Sequence, residues 1–417
     1  MSDVDSGQTY PECRPDQIVV GLPHVRLVGH RLVELGVWGG GSGRVVPDDR
    51  LGLALLTDLA GLPEVAGRVR AEYPAEIAAL EAGGRSFTPL DLLLFTLRRG
   101  FGAEYAGWTP LLGKNRVLDR VDGTPYHWPI AMGADQPVPV DPVPVDGPGR
   151  PSADPGLGTD VRVGVLDVGL YPHPDLAGRY IAAPDALIEP KPDEVMQPWA
   201  GHATFVADLI LRQAPGARLE VHRLLDASDG QATLWDAARE LVRFDTSGVE
   251  VLNVSFGCYT ADGQPPLLME QAIDRLGSGI VVVAAAGNHG RHTDLAAGIT
   301  PRSASWPAAL DRVVAIGADD GHGRRAPFSP DLPWVARTAP GVGVEAAYLD
   351  ATVQPWAEGP ATPSTVRFHG RARWSGTSFA AATISGAIAA GMVPDRVSAH
   401  EALQRLLPPD EETAETY

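Results

Sequence analysis

The chain has 417 residues, 44% of them hydrophobic and 21% charged, the balance of a globular protein that can bury a sizeable core in two or three domains. A formal charge of −18 argues against a nucleic-acid surface, because a polyanion would be repelled. Only two cysteines, Cys13 and Cys258, are present, which excludes a disulfide framework and fits reduced thiols of a cytoplasmic protein.

The first residues, Met1 to Gly7, are acidic and polar and lack the basic and apolar regions of a secretory signal. The longest apolar stretches, Ile280 to Ala286 and Phe379 to Val393, fall short of the roughly 20 residues of a bilayer span. A soluble intracellular protein with no membrane partner is the expectation. Residues 1–135 read as a small α+β region that serves as an accessory or pro-region. Gln17 to Val20 reads as a strand, and His24 to Val37 carries apolar residues at helical spacing. Leu51 to Leu59 fits strand or helix equally. Pro63 to Ala82 reads as one helix, and Thr88 opens another that Gly100 is expected to end. Lys114, Arg116 and Arg120 form a basic cluster, read as a solvated face.

Residues 136–159 are rich in proline, favour extended polyproline II and read as a linker. From Asp160 the pattern changes. Apolar strand-like runs (Val161 to Leu166, Leu219 to Leu225, Val249 to Phe256, Ile280 to Ala286, Val313 to Ile316) alternate with helical ones (Phe205 to Gln213, Leu234 to Phe244, Leu267 to Leu276). Such alternation predicts an α/β domain over 160–407, its mostly parallel sheet covered by helices on both faces. An acidic tail, 408–417, closes the chain.

Chemistry in such domains gathers at the carboxyl ends of strands. Asp167 follows Val165-Leu166, Asn288 follows the run ending at Ala286, and His202 opens a helix. Ser378 opens a second helix of very small residues, Phe379 to Gly391, which must pack closely on most of its surface. An acid, a base, an amide donor and a hydroxyl are the parts of nucleophilic acyl transfer. The hydroxyl needs a neutral imidazole to take its proton, and a carboxylate to hold the imidazole's tautomer.

The order Asp, His, Ser resembles that of the subtilisin-like serine peptidases over roughly residues 158–407. The resemblance is carried by Asp167-Val168-Gly169 with His173-Pro174-Asp175-Leu176, by Gly201 to Ala207, and by Ala214-Pro215-Gly216-Ala217. It continues through Asn253 to Gly257, Ala285-Ala286-Gly287-Asn288, Ala339-Pro340-Gly341, and Gly376-Thr377-Ser378 with Ala380-Ala381. The resemblance implies a serine endopeptidase with Ser378 as nucleophile, His202 as base and then acid, and Asp167 as the orienting carboxylate. It implies an oxyanion hole of Asn288 with the Ser378 N–H. It implies a substrate strand at Ser255, Phe256 and Gly257, and a primary side-chain pocket walled by Ala285, Ala286 and Gly287. The partner is then a peptide or protein substrate, no cofactor is needed, and the N-terminal region inhibits the site or recruits a partner.

Four positions depart from the family pattern: Val168 for a hydroxyl residue, Ala203 and Asp208 for glycines, and Ala382 for a proline. Asp208, if buried, needs a partner, and Arg212 stands four residues on. These departures leave a low-turnover peptide-binding module as the alternative, alongside a protease dedicated to maturing one partner or acting as an effector. His289, His292 and Asp294 lack the framework of a zinc site, and no carboxylate loop matches a calcium site, so no metal is expected.

Overall fold

The computed structural model describes residues 13–408 apart from 40–42, 83–86, 121–135, 142–153, 192, 225–231, 261, 292–298, 356–363 and 394. In chain order the elements begin with β1 (Cys13–Gly21), α1 (Val25–Glu34), β2 (Arg44–Asp48), β3 (Leu53–Thr57), α2 (Leu62–Glu72), α3 (Pro74–Glu81), α4 (Pro89–Glu104) and β4 (Leu112–Arg120). Then come β5 (Val138–Pro139), β6 (Arg162–Asp167), β7 (Tyr180–Ala182), β8 (Val195–Met196), α5 (His202–Gln213), β9 (Arg218–Arg223), β10 (Ala232–Thr233) and α6 (Leu234–Leu241). Next are β11 (Val251–Val254), β12 (Phe256–Gly257), α7 (Leu267–Arg275), β13 (Val281–Ala285), β14 (Val313–Asp319), β15 (Val335–Pro340) and β16 (Val344–Ala347). The last are β17 (Thr352–Val353), β18 (Val366–Arg367), β19 (Arg371–Trp374), α8 (Thr377–Gly391) and α9 (Ala399–Leu406).

The chain forms two compact units. The first holds residues up to Val117 together with 233–242 and 266–275. Its antiparallel strands run β2-β3-β1-β4, with Ile18 opposite Leu56 and Val20 opposite Ala54. These side chains pack with Val28, Leu32, Val69, Leu93, Leu97 and Phe101 into one core. Leu53 to Leu56 are all buried, so this strand shows no alternation and its sequence could not tell strand from helix. Helices α6 and α7 cluster with this sheet, and Asn115 Oδ1 accepts from the Trp235 N–H at 3.0 Å at the start of α6.

Three expectations for this unit are corrected. The single helix over 63–82 is two, because Pro74 holds Tyr73 out of the helical region (φ −124°, ψ 49°) and starts a new helix. Helix α4, opened by a Thr88–Asp91 capping box, runs past Gly100 to Glu104. Its apolar face continues from Leu97 to the buried Phe101, and that burial outweighs the cost of one glycine. Lys114 is not on a solvated face: its side chain is 10% exposed, with Nζ 2.6 Å from Asp91 Oδ1.

The second unit is built on a seven-stranded parallel sheet in the order β15-β14-β13-β11-β6-β9-β7. Its central strands β6, β11 and β13 are almost wholly buried, as their continuous apolar runs require. From β6 the chain moves to β9 on one side and then to β11 on the other, so the strand order switches at the carboxyl end of β6. Helix α8 is buried along most of its length. Its small residues permit close approach: a Cβ on Gly386 would lie 2.5 Å from the Ile210 carbonyl of α5.

The described part of the proline-rich segment is not polyproline II throughout. Val138 and Pro139 form β5, paired with Arg373 and Ala372 of β19. As an edge strand it tolerates a residue with no N–H. The rest of that segment from 142 to 153, and the tail from 409, lie outside the described residues. Among the described residues no helix is long and apolar enough to cross a membrane.

Candidate active site

Asp167 ends β6 at the switch in strand order and is 1% exposed. His202 begins α5, and its Nδ1 lies 2.9 Å from both Asp167 oxygens. A carboxylate only accepts, so the imidazole proton resides on Nδ1 and Nε2 is left as the basic nitrogen. The Val168 backbone N–H donates to Asp167 Oδ1 at 2.7 Å. Trp374 packs edge-on against the His202 ring at 5.6 Å, and the Phe379 ring lies at the same distance.

Two contacts set the start of α5. A Cβ on Gly201 would fall 2.2 Å from the ring of Tyr348, which is fully buried and whose hydroxyl donates to the Pro198 carbonyl. Burial pushes the Tyr348 phenol well above its ordinary pKa. Farther along the helix, Asp208 finds the partner expected of it. Its Oδ2 accepts from Arg212 Nη2 at 2.6 Å and from the Ala347 N–H at 2.7 Å. Arg212 Nη1 in turn donates to the Glu345 carbonyl at 2.5 Å, so α5 is fastened to β16.

Ser378 lies in the first turn of α8, 3% exposed, where the unpaired N–H groups of a helix start point outward. The turn before it is fixed by Gly376 N–H donating to the Gly341 carbonyl at 2.8 Å. Gly341 can bear no side chain, since a Cβ would sit 2.7 Å from Ala318 Cβ and 2.8 Å from the Gly376 carbonyl. Asn288 meets the same helix start: its Oδ1 accepts from the Thr377 N–H at 3.0 Å and from Thr377 Oγ1 at 3.1 Å. With the amide oxygen so engaged, the NH2 is directed toward Gly376, 3.8 Å from the position of a Cβ there. A buried polar chain ties β11 to α8: Ser385 donates to Asn253 Oδ1 at 3.0 Å, and Asn253 Nδ2 to Ser255 Oγ at 3.0 Å. Ser255 Oγ then lies 3.5 Å from the Ser378 carbonyl.

The fold therefore brings Asp167, His202, Asn288, Ser255 and Ser378 together. Phe256 and Gly257 form a short strand beside them, paired antiparallel with Arg120 and Asp119, which cluster with the second unit. Ala285 and Ala286 are buried at the end of β13, next to β11, and Gly287 turns the chain with φ of +100°. Both ring nitrogens of His289 are engaged, by Tyr259 Oη at 3.1 Å and the Ser303 carbonyl at 2.9 Å. His292 and Asp294 lie outside the described residues, and among the described residues no cluster of three such ligands occurs. The roles of Thr377, Trp374 and Tyr348 were missed in the sequence. Thr377 stands inside a recognised motif, whereas nothing local marks the other two.

The sequence model of the subtilase family matches residues 158–407. The chain belongs to this family of serine peptidases. Subtilisin BL from Lederbergia lenta is 34% identical over 205 residues, which are 47% of this chain and 69% of that one. Thermophilic serine proteinase from Bacillus sp. (strain AK1) is 34% identical over 196 residues, 44% of each chain. The match thus spans less than half the length of the latter relative. Among solved structures, fervidolysin from Fervidobacterium pennivorans, titled a keratinolytic enzyme related to subtilisin, superposes with a TM-score of 0.55 at 17% identity. That superposition covers 93% of this chain and 56% of the other, and it shows a shared fold.

Proposed function

We propose that this subtilase is an intracellular serine endopeptidase that works through an acyl-enzyme on Ser378. The observation that carries the reading is the Asp167–His202 pair, two 2.9 Å contacts at the strand end beside the first turn of α8. His202 Nε2 takes the proton of Ser378 Oγ as the oxygen bonds to the substrate carbonyl carbon. Asp167 stabilises the imidazolium that forms. The negative charge grows on the carbonyl oxygen, where Asn288 Nδ2 and the Ser378 N–H donate to it. Collapse breaks the C–N bond, and His202 gives its proton to the leaving amine. Water, deprotonated by His202, then attacks the acyl-enzyme and releases the acid. The substrate adds as a strand to Ser255-Phe256-Gly257, a mode that reads backbone more than side chain.

The protein is made latent by its own chain in this reading. The backbone of Asp119 and Arg120 already lies on Phe256 and Gly257, the edge that a substrate strand would use. Cys13 and Cys258 are buried thiols not joined in a disulfide, which supports an intracellular setting. Purified wild-type and Ser378→Ala proteins, compared on a gel over time, test the proposal. Self-cleavage between the N-terminal region and the peptidase domain, with peptide hydrolysis by the wild type alone, is expected. Hydrolysis that survives in Ser378→Ala contradicts it.

A further inference from the structure

His289 is a fully buried imidazole beside Asn288 to which the mechanism above gives no task. A carbonyl only accepts, so Nε2, 2.9 Å from the Ser303 oxygen, carries the proton. Nδ1 is then the acceptor, and the Tyr259 hydroxyl donates to it at 3.1 Å, with the two rings edge to face at 5.0 Å. Tyr259 stands two residues beyond Gly257 of the substrate strand. The imidazole therefore joins that strand's continuation and the Ser303 segment to the peptide that carries Asn288. A Cβ on Gly287 would lie 2.8 Å from His289 Nδ1, so the turn closes directly on the ring. On the other side, Gly290 N–H donates to the Phe328 carbonyl at 2.7 Å.

We propose that His289 is a positioning residue for Asn288. Thr377 holds the Asn288 side-chain oxygen from α8, and the His289 ring, one residue on, anchors the peptide through Tyr259 and Ser303. Together they hold the amide NH2 where the oxyanion develops. A group that acts only on this placement affects the transition state and leaves substrate binding alone. The inference rests on the oxyanion role given to Asn288 above.

The test is peptide hydrolysis by the active protein and its variants Asn288→Ala, His289→Leu, His289→Gln, Tyr259→Phe and the doubles with Asn288→Ala. Asn288→Ala should lower kcat about 10²–10³-fold, the cost of one such donor in a subtilisin. His289→Leu should lower kcat ~10- to 100-fold with KM within about twofold, as a displaced catalytic donor does. It should weaken a peptide aldehyde, which forms a tetrahedral adduct, by a similar factor. In the Asn288→Ala background the same change should cost less than ~3-fold, because no donor remains to be positioned. His289→Gln, which both donates and accepts, should recover most of the loss. If His289→Leu does not fold, Tyr259→Phe removes one oxygen only and should show a smaller kcat loss that also vanishes without Asn288. Additive losses, or losses confined to KM, overturn the inference while leaving the oxyanion reading intact. A kcat unchanged in Asn288→Ala overturns the oxyanion reading first, and this inference with it.

Discussion

Asp208 replaces a glycine of the family pattern with a buried charge, and its removal has a calculable cost. The carboxylate side chain is 5% exposed and that of Arg212 28%, so the pair is mostly shielded from water. Asp208→Leu would strip Arg212 of its counter-ion and leave the buried Ala347 N–H without its 2.7 Å acceptor. Breaking a buried pair from one side costs about 3–5 kcal/mol, and the partial exposure of Arg212 places this case near 3. For a unit of this size, that lowers the melting temperature by roughly 6–12 °C. Removing both charges is different, since an apolar pair of similar volume is often neutral. Asp208→Leu with Arg212→Met should therefore regain at least half of the loss. Calorimetry on the wild type, both singles and the double reads this directly. A single Asp208→Leu that melts within 2 °C of the wild type, or a double that loses the sum of the singles, refutes the reasoning.

Three further outcomes follow from the same geometry. Gly201→Ala places a methyl inside the Tyr348 ring, so the residue before His202 must move. A shift approaching 1 Å should cost ~100-fold in kcat, read by peptide hydrolysis, with the fold retained by circular dichroism. Asp167→Asn keeps the shape but offers His202 Nδ1 the wrong partner, and kcat should fall ~10⁴-fold. His173 supplies a pH signature. Burial first, and Arg371 after it, hold its pKa below the ordinary 6.5, against the opposing pull of Asp175, Asp208 and the Gly370 backbone. The unfolded chain then binds the proton more readily, so stability is lost as pH falls through 6.5 toward the lower folded value and levels off below it. His173 Nδ1 also accepts from the Asp175 N–H at 3.1 Å, and His173→Asn keeps an acceptor there without a charge to gain. Urea titrations at pH 7.5 and 5.5 should show a smaller acid loss in His173→Asn.

The second unit was legible because buried parallel strands write themselves as unbroken apolar runs, and Asp167 and Asn288 stand at or just beyond their ends. Val281 to Ala285 and Val251 to Val254 read correctly for that reason. The small-residue helix after Ser378 announced its own burial, and Gly386 against Ile210 shows how close the approach is. What stayed hidden depends on long-range packing. Strands β16 and β19 pair antiparallel although β17 and β18 lie between them in the chain, and the alternation of Arg371 to Trp374 is only four residues long, too short to announce a strand by itself. Val138 and Pro139 form a strand only because the edge of β19 is there to receive them. The buried bonds of His289 and Thr377 join residues 30 and 89 positions away, beyond any local spacing rule. Lys114 looked solvated because its partner, Asp91, sits at the start of a helix elsewhere in the chain.

The most direct test of the central claim is covalent. Folded protein, before and after cleavage of the 136–159 linker, would be treated with a serine-directed peptidyl phosphonate, digested and mapped by mass spectrometry. One adduct per chain on Ser378 in the cleaved protein, slower to form before cleavage and absent from Ser378→Ala and from His202→Ala, is the predicted result. Folded, linker-cleaved protein that stays unlabelled at Ser378, or labels equally well without His202, would contradict the account.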